Sequence, residues 1–446
     1  MVSRHTTAGP RAVLLAALWL PLCLAERRAV LIDIDGVRGD TFEQTYRDGR
    51  LPNFQRILEP AVWFDNAASV FPTVTMAGQA SLFTGVPPAT HGVIGNQWFD
   101  RAAGRMVDYL TVTGVACVYG FTLLTGPECR GGLANRHLLS PTLYEAATAA
   151  GLSSMVVFNQ YWKGATHAVL PGLLDALSFV QNESIDYEAF DRRMMDRALE
   201  ALREHRLPAI LTVYFAGADG LGHALGTAGQ PRYLERVIDY QLGRLLDALE
   251  SLDPQWRAHT LFVITADHGR TDATLNPEDL TLAADLRAAL ERAGHDSDRV
   301  RLAANGGMAY IYLKAESWPE PPAAEAVEAV LRQLCEDTLL ARVVESVRAR
   351  RDDDSPRSGD LILLLKPGHY FGNLGIGSHH GSIHETDLAV PLILAQGDLP
   401  AGRRSERVST AQIAHTIADY LGFPIEAVEP ALPVSWPSRK PRPARR

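Results

Sequence analysis

Carboxylates and imidazoles stand at the ends of apolar runs throughout this 446-residue sequence. Asp35 closes the run that begins at Ala29, and Asp219 follows the run Ala209 to Phe215, with His223 one helical turn further on. Asp267 and His268 follow Thr260 to Thr265, and His379 and His380 precede the run Leu388 to Leu394. Mixed carboxylate and imidazole donors suit zinc-class ions better than calcium or magnesium, which prefer oxygen shells. Any one of these residues has an ordinary structural reading. An Asp at a strand end forms a turn or caps a helix, and a lone His belongs to surface or core. Four such placements on successive loops are hard to explain by capping, and as a set they point to a metal centre.

A candidate nucleophile lies in the segment Phe71 to Gly85. Pro72 ends an extended approach and Gly85 suits the close of a short helix, which puts Thr75 near the helix N-terminus. The backbone field there favours an anion, and a bound metal would bring the threonine hydroxyl within reach of its alkoxide. The competing reading is that Thr75 or Thr73 merely caps the helix. This segment by itself favours the cap.

The elements that must position these groups alternate in type. Ala29 to Asp35, Ala209 to Phe215 and Thr260 to Thr265 are continuous apolar runs, the pattern of parallel strands covered on both faces. Phe190, Met194, Ala198, Leu199 and Leu202 mark a helix face before the second run. Leu234, Val237, Ile238, Leu242, Leu245, Leu246 and Leu249 mark another before the third. The alternation predicts an α/β domain around a mainly parallel sheet, and such sheets hold ligands at the carboxyl ends of their strands. The expected catalytic domain runs over about residues 26–425, with insertions at about 100–187 and 270–377, ahead of a Pro/Arg-rich tail at 426–446 whose last residues read as solvated.

Composition is that of a globular protein, 46% hydrophobic and 21% charged. A net charge of −9 gives no reason to expect a nucleic-acid partner, and no obligate protein partner is evident. Arg4 and Arg11 precede the apolar run Ala12 to Ala25, the layout of a secretory signal, so residues 1–25 are expected to direct export to a periplasmic or extracellular compartment. An uncleaved membrane anchor is the alternative. In an oxidising compartment Cys117 and Cys129 are candidates to pair, a question the sequence leaves open, whereas Cys335 reads as a buried small hydrophobe. Asn182-Glu183-Ser184 is a glycosylation sequon on paper.

The segments Ile34-Asp35-Gly36-Val37-Arg38, Phe71-Pro72-Thr73-Val74-Thr75, Thr84 to Asn96, Asp219-Gly220-Leu221-Gly222-His223, Asp267-His268-Gly269 and His380-Gly381 occur in a telling order. In them the chain resembles the alkaline phosphatase superfamily, most closely its nucleotide pyrophosphatase/phosphodiesterase branch. The resemblance implies a three-layer sandwich with loop and cap insertions, and two divalent ions, expected to be zinc. It implies one ion held by Asp219, His223 and His380, the other by Asp35, Asp267, His268 and the Thr75 oxygen. His380 is preferred to His379 because it directly precedes the glycine. The resemblance also makes Thr75 the nucleophile of a phospho-threonine route, and Asn96, with the Thr75 backbone N–H, the donor to a phosphate oxygen. Asp33 reads as a strand residue, and His91 as a shaper of its loop.

The sequence departs from the closest branch after Thr75, where Met76-Ala77-Gly78-Gln79 replaces the usual Phe-Pro-Asn-His. Related phosphomonoesterases grip a dianion with a Lys-X-Arg pair. Here Lys163 is a candidate substrate contact, but Ala165 stands where the Arg would be. The missing cation favours diesters over monoesters, because the transferred group of a diester carries less charge. The expected substrate is therefore a small phosphoester, a diester ahead of a monoester, and the sequence leaves open whether a nucleotide, a lipid head group or another group is attached. Tyr161 and Trp162 could stack on a base but read better as packing. An alkaline phosphomonoesterase, a phosphonate hydrolase and, last, a non-catalytic metal-retaining relative are the alternatives.

Overall fold

The three apolar runs form the middle of the main sheet. In the computed structural model β1 (Arg28–Ile34) lies between β7 (Ile210–Phe215) and β8 (Thr260–Thr265), parallel to both. The structure describes residues 27–172, 175, 186–274, 277–296, 298–371, 377–395 and 399–436. The expected export signal, the Asn182 sequon and the basic end from Arg439 fall outside the described residues. Nearly every residue of the three strands is buried, as strands covered on both faces require.

Five further strands complete the eight-stranded sheet, whose order is β16-β2-β15-β8-β1-β7-β5-β6. They are β2 (Val62–Ala68), β5 (Ser154–Val157), β6 (His167–Val169), β15 (Leu392–Ala395) and β16 (Gly402–Ser409). Only β15 runs antiparallel to its neighbours, β2 and β8. A hairpin of β3 (Gln97–Asp100) and β4 (Arg105–Asp108) stands apart, as does the short pair β9 (Thr271–Asp272) and β14 (Ser378–His379). A four-stranded sheet of β10 (Val300–Asn305), β11 (Met308–Leu313), β12 (Val344–Ala349) and β13 (Leu361–Leu365) carries its own smaller core.

Helices cover the main sheet. Gln412–Leu421 packs on Thr75–Thr84, Leu143–Ala149 and β1, while Tyr187–His205 packs with Gly217–Leu225 and Asp239–Leu252. The apolar stripes read from the sequence are the buried faces: Phe190, Met194, Ala198, Leu199 and Leu202 on one helix, Leu242, Leu245, Leu246 and Leu249 on another. Among the described residues no helix is long and apolar enough to cross a membrane. Cys117 and Cys129 form a disulfide with their Cα atoms 4.7 Å apart. Cys335 corrects the expectation of a buried thiol. It is exposed on helix Ala324–Glu336, whose buried positions are Val330 and Leu334.

Candidate active site

Most of the candidate side chains sit just past strands of the main sheet. Asp35 follows β1, Asp219 and His223 share one face of helix Gly217–Leu225 after β7, and Asp267 and His268 follow β8. Gly36 turns the chain with φ +63°, and its N–H donates to Asp267 Oδ1 at 3.2 Å. A Cβ at Gly36 would run into the Asp219 carboxylate, so only glycine allows the two strand ends to approach.

The fold gathers these side chains into two clusters, Asp219/His223/His380 and Asp35/Asp267/His268, with the ligand atoms of each within 4.8 Å of one another. The clusters adjoin through the stacked rings of His268 and His380, 3.7 Å between centroids. His268 Nε2 lies 3.3 Å from Asp35 Oδ1 and 3.7 Å from Asp267 Oδ2. His223 Nε2 lies 3.0 Å from Asp219 Oδ2, and His380 Nε2 lies 3.6 Å from Asp219 Oδ1.

The imidazoles are oriented by the backbone. Nδ1 of His223 meets the Ser378 carbonyl at 3.0 Å, Nδ1 of His268 the Gly269 carbonyl at 2.9 Å, and Nδ1 of His380 the Thr73 carbonyl at 2.8 Å. A carbonyl can only accept, so Nδ1 carries a hydrogen, and in the neutral ring Nε2 is the nitrogen whose lone pair points to the carboxylates. Asp35 Oδ1 and Asp267 Oδ2 are buried with no hydrogen-bond partner. Burial, and then the charges of Asp267 and Asp219, push the Asp35 carboxyl well above the usual range, and burial also raises Asp267. Asp219 goes the other way: the Arg270 guanidinium outweighs burial and holds its carboxyl well below that range. Burial pushes the His380 imidazole well below its ordinary range. Unpaired carboxylate oxygens facing imidazole lone pairs form a donor set that fits divalent cations.

Thr75 is the first residue of helix Thr75–Thr84, which ends at Gly85 in the left-handed conformation. Neither candidate cap acts as one. The residue before the helix is Val74, with no side-chain cap, and the Thr73 hydroxyl donates to the Ser382 carbonyl at 2.7 Å. The Thr75 hydroxyl instead faces His268 Nε2 at 3.3 Å. Asn96 accepts the Met76 N–H through Oδ1 at 3.2 Å and lines the same cavity as Thr75.

That cavity, about 410 Å³, is walled by Tyr109, Tyr119, Phe158, Tyr187 and Tyr214, with Val115, Val118 and Gln160, and has no Lys or Arg among its described lining. Lys163 is not in it; its ammonium pairs with Glu145 at 3.2 Å. Tyr161 is buried and donates to the Met76 carbonyl at 2.8 Å, and Trp162 stacks on Tyr119. Both therefore pack. His91 is buried between Ser81 and the Val93 N–H, Asp33 accepts from Gln79 inside β1, and His379 stacks on Tyr370. Sequence reasoning passed over Tyr214, which donates to Asp35 Oδ2, and Arg270, which donates to Asp219. Tyr214 gave no signal beyond its strand; Arg270 could have been found as the buried-charge candidate directly after Asp267-His268-Gly269.

A mainly parallel sheet that brings such donors together at its strand ends defines an alkaline-phosphatase-like phosphoric ester hydrolase, from a superfamily whose members depend on metals. The chain belongs to the type I phosphodiesterase/nucleotide pyrophosphatase family, whose model matches residues 29–381. It is 24% identical to the alkaline phosphatase PhoD of Zymomonas mobilis over 518 aligned residues, 90% of this chain and 86% of that protein. It is also 24% identical to the venom phosphodiesterase of Macrovipera lebetinus, but that match takes in 55% of this chain and only 26% of the venom protein. Murine ectonucleotide pyrophosphatase/phosphodiesterase 5, solved in an inactive form with AMP, shares the fold with a TM-score of 0.64 at 16% identity, covering 92% of this chain and 97% of its own.

Proposed function

We propose that this protein is a two-metal phosphodiesterase that works through a phospho-threonine on Thr75. The observation that carries the reading is the orientation of His223, His268 and His380, each giving Nδ1–H to a carbonyl and turning Nε2 toward carboxylates, with Thr75 Oγ1 alongside. Asp219, His223 and His380 would hold one zinc ion, and Asp35, Asp267, His268 and Thr75 Oγ1 the other. When bound, the ions supply Lewis-acid stabilisation of the attacking and leaving oxygens. Thr75 Oγ1 forms a bond to phosphorus as the bond to the leaving oxygen breaks, and water then cleaves the phospho-threonine. The Asn96 amide and the open Thr75 N–H at the helix start donate to the non-bridging oxygens as charge gathers there.

The cavity favours diesters for an electrostatic reason. A monoester dianion brings a second charge that a cation normally meets, and the described lining offers none, since Lys163 is spent on Glu145. The aromatic wall suits an uncharged group on the second ester, such as a nucleoside or a lipid head group. Export to a periplasmic or extracellular compartment accords with the Cys117–Cys129 disulfide. A monoesterase is the second reading, favoured by the match to PhoD across most of both chains. Rates on bis-p-nitrophenyl phosphate, p-nitrophenyl phosphate and p-nitrophenyl-TMP separate the two. Diester turnover should lead, should vanish on metal removal and should fall at least ~10³-fold in Thr75→Ala, the scale of losing a covalent nucleophile. Turnover that persists in Thr75→Ala would overturn the mechanism.

A further inference from the structure

The two clusters share a device that the mechanism above does not use. Tyr214, at the end of β7 and 3% exposed, donates its hydroxyl to Asp35 Oδ2. The other oxygen of that carboxylate, Oδ1, has no hydrogen-bond partner and faces His268 Nε2 at 3.3 Å. Arg270, fully buried, donates from Nη2 to Asp219 Oδ1 and from Nη1 to the Asp219 carbonyl at 2.8 Å. The second oxygen of Asp219, Oδ2, faces His223 Nε2 at 3.0 Å. Arg270 reaches Asp219 only because residue 222 is glycine; a Cβ there would overlap the guanidinium.

We infer that Tyr214 and Arg270 are positioning residues that each tie down one oxygen of a ligand carboxylate, so that each aspartate presents a single, fixed oxygen to its ion. The inference rests on the metal reading above. A carboxylate with both oxygens free can rotate or chelate an ion with the pair; one oxygen held by a buried donor leaves one geometry. Tyr214 does this for the Asp35 cluster with a neutral donor. Arg270 does it for Asp219 with a charged one, and the two roles of that charge oppose each other. As a donor, the guanidinium fixes the carboxylate and strengthens ion binding; as a bare charge, it repels a dication and weakens it.

The full chain, stripped by chelation, is titrated with zinc against a chromophoric chelator, and the stripped proteins are melted in parallel. Wild type is expected to take up two ions. Tyr214→Phe and Arg270→Met are each expected to keep that number while weakening one binding step by roughly 10–100-fold, the range for partners of metal ligands. The double variant should weaken both steps. Melting of stripped Tyr214→Phe should match wild type, whereas a purely structural role would lower melting and leave zinc affinity in place. Unchanged affinity in Tyr214→Phe, or tighter zinc binding in Arg270→Met, would overturn the inference. A wild type that takes up no zinc would instead sink the metal reading on which it rests.

Discussion

At His223, His268 and His380 a backbone carbonyl takes the Nδ1 hydrogen, so the nitrogen that faces the carboxylates is the one able to hold an ion. Asn96 divides its amide in a similar way. Its Oδ1 takes the Met76 N–H, which leaves the amide nitrogen for the cavity. A donor aimed at charge that develops during the reaction acts on kcat more than on KM. Asn96→Ala is therefore expected to lower diester kcat/KM by roughly 10²–10³, with kcat carrying most of the loss in steady-state assays. A change confined to KM would instead assign Asn96 to ground-state binding. The aspartates and histidines are legible in the sequence because polar residues at the ends of apolar runs stand out. Tyr214 is not, since an aromatic inside a strand reads as core, and Lys163 stands out for its charge while Glu145, which engages it, lies on a separate helix.

The helix that carries Asp219 and His223 begins on a buried carboxylate. Asp191, 1% exposed on helix Tyr187–His205, accepts from the Gly217 N–H at 3.2 Å and from the Tyr233 hydroxyl at 2.8 Å, while its Oδ1 has no partner. Burial wins over these donors and pushes its pKa up to about 7, from an ordinary 3.8. A carboxyl whose pKa folding raises lets the unfolded chain shed its proton first, so stability falls as pH climbs from about 3.8 to about 7 and levels off beyond. The loss by pH 9 amounts to about 4 kcal/mol at most. Asp191→Asn keeps an acceptor for Gly217 and cannot ionise. Its melting temperature should exceed wild type at pH 9 and by well under half as much at pH 5; parallel pH profiles would show that Asp191 ionises without strain. Elements are legible in proportion to length and burial. The three central strands read clearly, but β5 and β6 have four and three residues, and β16 is a charged edge with only Val408 buried.

On the scale of the whole molecule, the proposed ligands come from five separate stretches of chain: Asp35, Thr75, Asp219 with His223, Asp267 with His268, and His380. Ions that bind only when these meet stabilise the fold by mass action, about 4 kcal/mol at a thousandfold excess over Kd. Chelation should lower the melting temperature and zinc should restore it; melting indifferent to chelator would count against resident ions. The cavity wall depends on a different long-range tie. Val115 and Val118, on helix Val112–Val118, and Tyr119 just beyond it line the cavity, and the Cys117–Cys129 disulfide anchors that helix to the segment beyond. None of the three provides a proposed ligand or the nucleophile, so loosening them should weaken the hold on the substrate's second group and spare the bond-breaking step. An interaction made equally in ground and transition states shows up in KM alone. The double variant Cys117→Ser/Cys129→Ser is thus expected to raise diester KM on the order of tenfold, about 1.4 kcal/mol of binding, with kcat and zinc content held. Equal loss of kcat would mean that the tie also supports the Thr75 and Asn96 side of the cavity, and an unchanged KM would mean that packing of Tyr119 on Phe158 and Trp162 is enough to hold the wall.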